Sequence, residues 1–167
     1  MLFDDAHLYN LLDKQNIEYE VFSHHPVFTT DEANSLKEKI IGAHSKNLLL
    51  RDRKKNFFLV SMPDEKKLDI KALSKEYGKG GLSFARDEHL MTYLGVIPGA
   101  VTPYGLINDT DKAVTFILDH DFMGHDIVNF HPLRNDKTLS IAVNDLISFL
   151  TLYHTPPKVQ VLPCICS

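Results

Sequence analysis

The chain has 167 residues, 44% of them hydrophobic and 24% charged, and a formal net charge of −4. That length suits one domain with a real core, and no apolar run approaches the ~18 residues that crossing a bilayer requires. The opening Met1-Leu2-Phe3-Asp4-Asp5 lacks the basic and then apolar character of a signal peptide, and the only cysteines, Cys164 and Cys166, sit in a Cys-x-Cys tail, so a reducing cytoplasm is the simplest setting.

In chain order, Asp4 and Asp5 open a helix carrying Leu8, Leu11 and Leu12 on one stripe. Tyr19 to Phe22 alternates like a strand. Thr29 and Glu32, three apart, form a capping box that starts a helix reaching about Lys37. Asn47 to Arg51 and Phe57 to Ser61 read as strands of a hairpin whose loop is residues 52–56. Asp69 to Tyr77 is helical and ends at Gly78, a left-handed cap; Gly78-Lys79-Gly80-Gly81 follows a helix rather than a strand and so reads as cap and turn, not a phosphate loop. A short strand over Leu82 to Ala85 and a helix over Asp87 to Leu94 come next. Strands are expected at Ala113 to Leu118, Asp126 to Phe130 and Thr138 to Ala142. Asn144 is expected to cap a last helix, with Leu146, Phe149, Leu150 and Tyr153 on its apolar stripe, before a strand at Lys158 to Leu162. The pattern predicts a mixed α/β (α+β) fold around a central, partly antiparallel sheet. It forms one domain over residues 1–167, with a short tail from about residue 156 that should fray.

Charge is unevenly placed. Residues 37–79 hold 12 of the 18 Lys and Arg but 6 of the 22 Asp and Glu, a local charge of +6, so the rest of the chain sums to −10. A basic stretch on an acidic protein steers a polyanion to one face, although solvated surface lysines produce the same pattern.

Two distant segments carry chemistry. Gly42-Ala43-His44-Ser45-Lys46-Asn47 runs into the apolar Leu48-Leu49-Leu50, placing a lysine at the mouth of a strand. Lysine is a compact charge that holds a phosphate or a polarised carbonyl. In a strand Asn47 points to the opposite side, so one of the pair faces a site and the other supports it. The second segment, Leu94 to Leu106, is stiffened by Pro98 and Pro103, while Gly95, Gly99 and Gly105 permit a close backbone approach. Amides at Gly99, Ala100 and Val101 are candidates to stabilise an oxyanion or position a water. Nine histidines invite a metal reading, with Asp119, His120, Asp121, His125 and Asp126 grouped, but no spacing matches a metal motif. His131, held extended before Pro132, is a candidate to orient a substrate amine or ribose.

These pieces, in order, resemble the YbaK/prolyl-tRNA-editing family. They are Val27-Phe28-Thr29-Thr30, Gly42 to Leu48, Phe57-Phe58-Leu59-Val60, Leu94 to Asp109, and His131-Pro132-Leu133-x-Asn135-x-x-Thr138. The likeness is greatest to its stand-alone branch that clears alanine from tRNA(Pro), with branches acting on cysteine sharing much of the pattern. The resemblance implies a compact domain with a mixed, barrel-like sheet flanked by helices. It implies hydrolysis of an aminoacyl ester at the 3′ end of mischarged tRNA(Pro), with no cofactor, no metal and no membrane. It gives Lys46, Gly99 and Pro103 catalytic roles. It places Phe28, Thr29, Asn47, Ile97, Ala100, Val101, Thr102 and His131 around the substrate. Its implied partners are the tRNA acceptor end and, transiently, prolyl-tRNA synthetase or an elongation factor. Open alternatives are a tRNA-binding or regulatory module of the same fold and a metal-dependent small-molecule hydrolase.

Overall fold

The computed structural model describes residues 2–27 and 29–165. Helix α1 (Asp5–Lys14) starts where Asp4 accepts a 3.0 Å hydrogen bond from the His7 amide, and it buries Leu8 and Leu12. Strand β1 (Tyr19–Ser23) precedes α2 (Thr30–Lys39), capped by Thr29 Oγ1, which accepts from the Glu32 amide at 3.1 Å. Strands β2 (Ala43–Arg51) and β3 (Phe57–Pro63) form the expected hairpin, and β2 begins four residues before the expected start at Asn47. The hairpin loop is knotted by the buried Asp52, which accepts from the amides of Lys54, Asn56 and Lys79 and from Asn56 Nδ2, all at 2.8–2.9 Å. Helix α3 (Ile70–Glu76) ends before Gly78, whose φ of 85° is the left-handed cap. Then come β4 (Ser83–Phe84) and a single α-turn, α4 (Asp87–His89), which widens into a π-turn over Leu90–Leu94.

Beyond the glycine loop a 3-10 helix (Pro103–Asn108) leads to β5 (Val114–Asp119). A second 3-10 turn (His120–Gly124) separates it from β6 (Ile127–Phe130), followed by β7 (Lys137–Ala142), α5 (Val143–Tyr153) and β8 (Lys158–Gln160). Asn144 is not the cap of α5: the helix already begins at Val143, with Ala142 at the cap position and no side-chain cap bond. The C-terminal segment does not fray up to Ile165. Leu162 is buried, Leu68 pairs with Cys164, and backbone bonds join Asp69 to Pro163 at 2.9 Å and Ile165 to Lys67 at 2.8 Å. Cys166 lies outside the described residues.

The sheet runs β1-β7-β6-β2-β3-β5-β8, with β4 on β2. It is mixed: β1/β7, β7/β6, β2/β3 and β2/β4 are antiparallel, while β2/β6, β3/β5 and β5/β8 are parallel. Every residue of β3 is buried, because both faces of the sheet are covered. Leu59 faces the larger core with Leu8, Phe116, Tyr104 and Phe149, while Phe58, Val60 and Met62 face a smaller one with Leu50, Leu73, Ile117 and Leu162. β3 occupies one edge of β2; on the other edge β6 pairs with Ala43 and His44, and β4 with Leu50 and Arg51. Between them, on that edge, no strand among the described residues pairs with residues 45–49, and Lys46 and Asn47 stand in that gap.

Candidate active site

Period-two alternation sends Lys46 and Asn47 to opposite faces of β2. Lys46 shares the face of its cross-strand partner Met62, and its Nζ donates to the Lys66 carbonyl. Lys66 is itself anchored by Asp121 and, at 3.4 Å, by the fully buried Asp119. Burial disfavours its charge, but the two carboxylates outweigh this and push its pKa up. The segment that receives the Lys46 ammonium is therefore pinned to the end of β5. No contact ties Lys46 to the glycine loop among the described residues; its partner is the 66 carbonyl.

Asn47 lies on the face of the larger core, within a row of polar groups. Its Nδ2 donates to Ser45 Oγ at 3.1 Å, and its Oδ1 accepts from the buried Ser61 hydroxyl at 2.5 Å. Ser45 Oγ in turn donates to the Asn129 carbonyl at 2.7 Å. The Asn129 side chain, also buried, donates to the carbonyls of Ile41 (3.1 Å) and Ala43 (3.3 Å) and accepts from Ser140. This chain of bonds welds the start of β2 to β6 where their pairing stops. Gly42 is required there: its φ is 112°, and a Cβ would come within 2.8 Å of the Ile127 carbonyl.

His131 follows β6 directly. Its Nδ1 donates to the Lys137 carbonyl at 2.7 Å, which assigns the proton to Nδ1 and leaves Nε2 an acceptor with no partner among the described residues. Burial is the main cause holding its pKa below the ordinary histidine value, helped by neighbouring His24, whose ring lies 6.3 Å away. His131 is therefore a neutral base at pH 7. It lines a cleft of about 240 Å³ with Val27, Leu36, His44, Ser45 and Thr138, and His24 Nε2 lies 2.8 Å from Thr138 Oγ1 at its rim.

The glycine loop only partly matches expectation. Ala100 is fully buried and its amide donates to the Ile97 carbonyl at 3.1 Å, so it is not an oxyanion donor. Thr102 is also fully buried; its hydroxyl accepts from the Tyr104 amide at 3.3 Å and caps the 3-10 helix that Pro103 opens, so it holds the loop rather than a substrate. Ile97 is half exposed, and Val101 packs partly against the core. The amides of Gly99 and Val101 have no acceptor among the described residues. Gly99, at φ 87°, has open space on its Cβ side apart from Asn135 Nδ2 at 3.9 Å, which brings the loop beside the turn after His131. Thr29 is exposed and engaged in its cap, while Phe28 lies outside the described residues.

The structure thus brings His131, Ser45 and Thr138 into one cleft and sets the Gly99 turn beside residue 135. It sends Lys46 and Asn47 to opposite faces. Sequence reasoning gave no site role to His24, Ser61, Asn129 or Thr138 (the last quoted only within a motif), whose bonds join segments 11 to 114 residues apart. Among the described residues no group of three or more His, Cys, Asp or Glu is placed to hold a metal ion. Nor is any helix among them long and apolar enough to cross a membrane.

The mixed sheet is open on one edge of β2 at Lys46 and Asn47, with the neutral His131 in the cleft beside Ser45 and the glycine loop meeting the turn at Asn135. The aminoacyl-tRNA editing domain family matches residues 24–149, and the chain belongs to that family. Among curated relatives, the prolyl-tRNA editing protein ProX of Acetoanaerobium sticklandii is 35% identical over 136 residues, covering 81% of this chain and 83% of that protein. The prolyl-tRNA synthetase associated domain-containing protein 1 of Danio rerio is 36% identical over 152 residues, covering 89% and 83%. Among solved structures, the hypothetical protein APE2540 superposes with a TM-score of 0.73 over 95% of this chain and 99% of that one, at 18% identity, a likeness of fold.

Proposed function

We propose that this chain is a trans-editing deacylase that hydrolyses the ester of mischarged tRNA(Pro), with alanine as the amino acid cleared, acting as one domain in the cytoplasm. The observation that carries this reading is the neutral His131, with an open Nε2 acceptor, in a small cleft beside the gap in β2. The family membership and the names of the relatives support it.

An aminoacyl ester is already activated, so catalysis here is positioning and charge stabilisation rather than attack by a protein nucleophile. Water attacks the carbonyl carbon, the bond from that carbon to the ribose oxygen breaks, and the ribose oxygen takes a proton. The products are a free amino acid and a tRNA with a 3′ hydroxyl. In this reading His131 Nε2 accepts from the substrate amine or a ribose hydroxyl. Lys46 exchanges the Lys66 carbonyl for the substrate end, and the amides of Gly99 and Val101 face the developing oxyanion. A cleft of about 240 Å³ suits a small side chain and rejects larger ones by clash, each methylene being worth about 1–3 kcal/mol. Prolyl-tRNA synthetase or an elongation factor is the proposed transient partner.

The test is release of amino acid from Ala-tRNA(Pro), Cys-tRNA(Pro) and Pro-tRNA(Pro), with Lys46→Ala beside the wild type. Loss of alanine alone is expected. Loss of cysteine instead transfers the chain to another branch. Hydrolysis of none favours a tRNA-binding module, a reading consistent with the Lys46 ammonium being tied to a backbone carbonyl.

A further inference from the structure

At the far end of β2 from Lys46 lies a second cleft, of about 650 Å³, between the β2–β3 hairpin loop and the glycine-rich turn after α3. Its walls include Arg51, Arg53 and Lys55, and its floor Gly80 and Gly81. Three observations give it a sign and a purpose. First, none of these cations makes an ion pair among the described residues, whereas Lys37, Lys66, Arg86 and Arg134 all do. Second, the carboxylate in its lining, Asp52, is turned inward onto four donors. Burial opposes its ionisation, yet the hydrogen bonds from Asn56, Lys79 and Lys54 hold its pKa down to about 2. It remains charged but is spent on the loop rather than on the arginines. Third, the glycines keep the floor open: a Cβ at Gly81 would meet nothing within 4 Å, and one at Gly80 would strike Arg53 Cδ at 2.8 Å. Gly80 therefore lets the Arg53 side chain lie flat along the cleft.

A concave site walled by uncompensated guanidinium and ammonium groups, with a backbone floor, fits phosphate oxygens. The five residue steps from Lys46 to Arg51 span about 17 Å of strand, or roughly five nucleotide steps of ~3.4 Å. We infer that this cleft grips backbone phosphates of the acceptor stem of tRNA while the 3′ end lies at the gap in β2. The identity of the ligand as tRNA rests on the proposed function; the phosphate chemistry does not. The cleft contacts backbone and so adds affinity and register, not base specificity.

The test is binding of uncharged tRNA by fluorescence anisotropy across a salt series, for the wild type, the double variant Arg53→Gln/Lys55→Gln, and Ser83→Asp, which puts a carboxylate in the cleft lining. A control, Lys14→Gln/Lys112→Gln, removes the same charge elsewhere. The cleft double variant should bind roughly tenfold or more weakly near 0.1 M salt, and its log–log salt slope should shrink by about two. Ser83→Asp should weaken binding in the same direction, and the control should shift the slope by much less. Cleft variants with wild-type affinity and slope, or a control that loses as much, would overturn the inference. The two readings separate cleanly: tRNA bound through this cleft without amino-acid release keeps the cleft and removes the deacylase, and release with unchanged cleft variants does the reverse.

Discussion

His154 Nε2 donates to Asp109 Oδ2 at 2.9 Å across 45 residues of sequence, with both side chains buried. The bond ties the end of α5 to the residue that closes the 3-10 helix behind the glycine loop. Asp109 also accepts from the amides of Ala113 (3.1 Å) and Val114 (2.8 Å), and so turns the chain into β5. Thr155 Oγ1 lies 3.1 Å from His154 Nδ1, completing a series that superficially matches a nucleophile, base and acid. The histidine is buried in the interior, and the series is a clamp.

Removing the histidine should therefore cost stability. His154→Ala leaves a buried carboxylate short of a donor, a loss of about 1–3 kcal/mol in urea unfolding. Burial raises the Asp109 pKa, but the bonds from His154 and the two amides win and hold it below the usual carboxylate value. A depressed folded value means stability is present above the unfolded pKa of about 3.9 and is lost as pH falls through the lower folded one. In His154→Ala the folded value should rise toward the unfolded one, so the stability this group loses on acidification should shrink. An unchanged acid limb would mean the amides alone hold the charge.

Lys46→Ala should abolish deacylation while leaving the fold intact. Its ammonium bonds to a carbonyl, and the core beneath it is built from Met62, Val60 and Leu50. Circular dichroism and turnover on the same preparation check this, and near-wild-type turnover would remove Lys46 from the reaction.

The pH profile should report His131. Its pKa is lowered, so the neutral ring and its Nε2 acceptor persist below the ordinary histidine value of about 6.5. The activity kcat/KM should stay flat through neutrality and fall only on the acid side, as the ring gains its second proton. In His131→Gln that limb should vanish together with most of the activity. A limb that survives the substitution belongs to another group.

Two loop glycines should separate by phenotype. At Gly105 a Cβ would sit 2.7 Å from Leu94 Cβ and 2.9 Å from the Leu94 carbonyl, so Gly105→Ala should destabilise by about 1–3 kcal/mol through overpacking. At Gly99 there is room, and the cost of alanine is the left-handed backbone, about 1–2 kcal/mol. Gly99→Ala should nonetheless lose activity out of proportion to its stability, because the exposed turn would relax. Equal activity losses in both would make the loop purely structural.

The elements were legible wherever the chain repeats locally. The Leu8 and Leu12 stripe, the Thr29 cap, the hairpin and the Gly78 stop all depend on neighbours a few residues apart, and those interactions survive in the one-dimensional record. Asn144 misled because a good cap residue is no cap when the preceding strand hands over directly and the cap position falls two residues earlier, at Ala142. The tail misled for a similar reason: its order comes from pairing with residues 67–69, a contact no local pattern encodes. Lys46, Asn47, His131 and the glycine loop were visible as motifs, and the alternation that separates Lys46 from Asn47 follows from strand geometry alone.

What the sequence determined by itself was the fold class, the family resemblance and the residues worth watching, since these rest on residue type and spacing. Only the tertiary structure decided which of them share a cleft. The break on one edge of β2, the row from Asn47 through Ser45 to Asn129, the loss of the Ala100 amide to Ile97, and the inward turn of Asp52 all depend on where distant segments land. Hydrogen bonds and burial act between neighbours in space, and chain order does not say who those neighbours are.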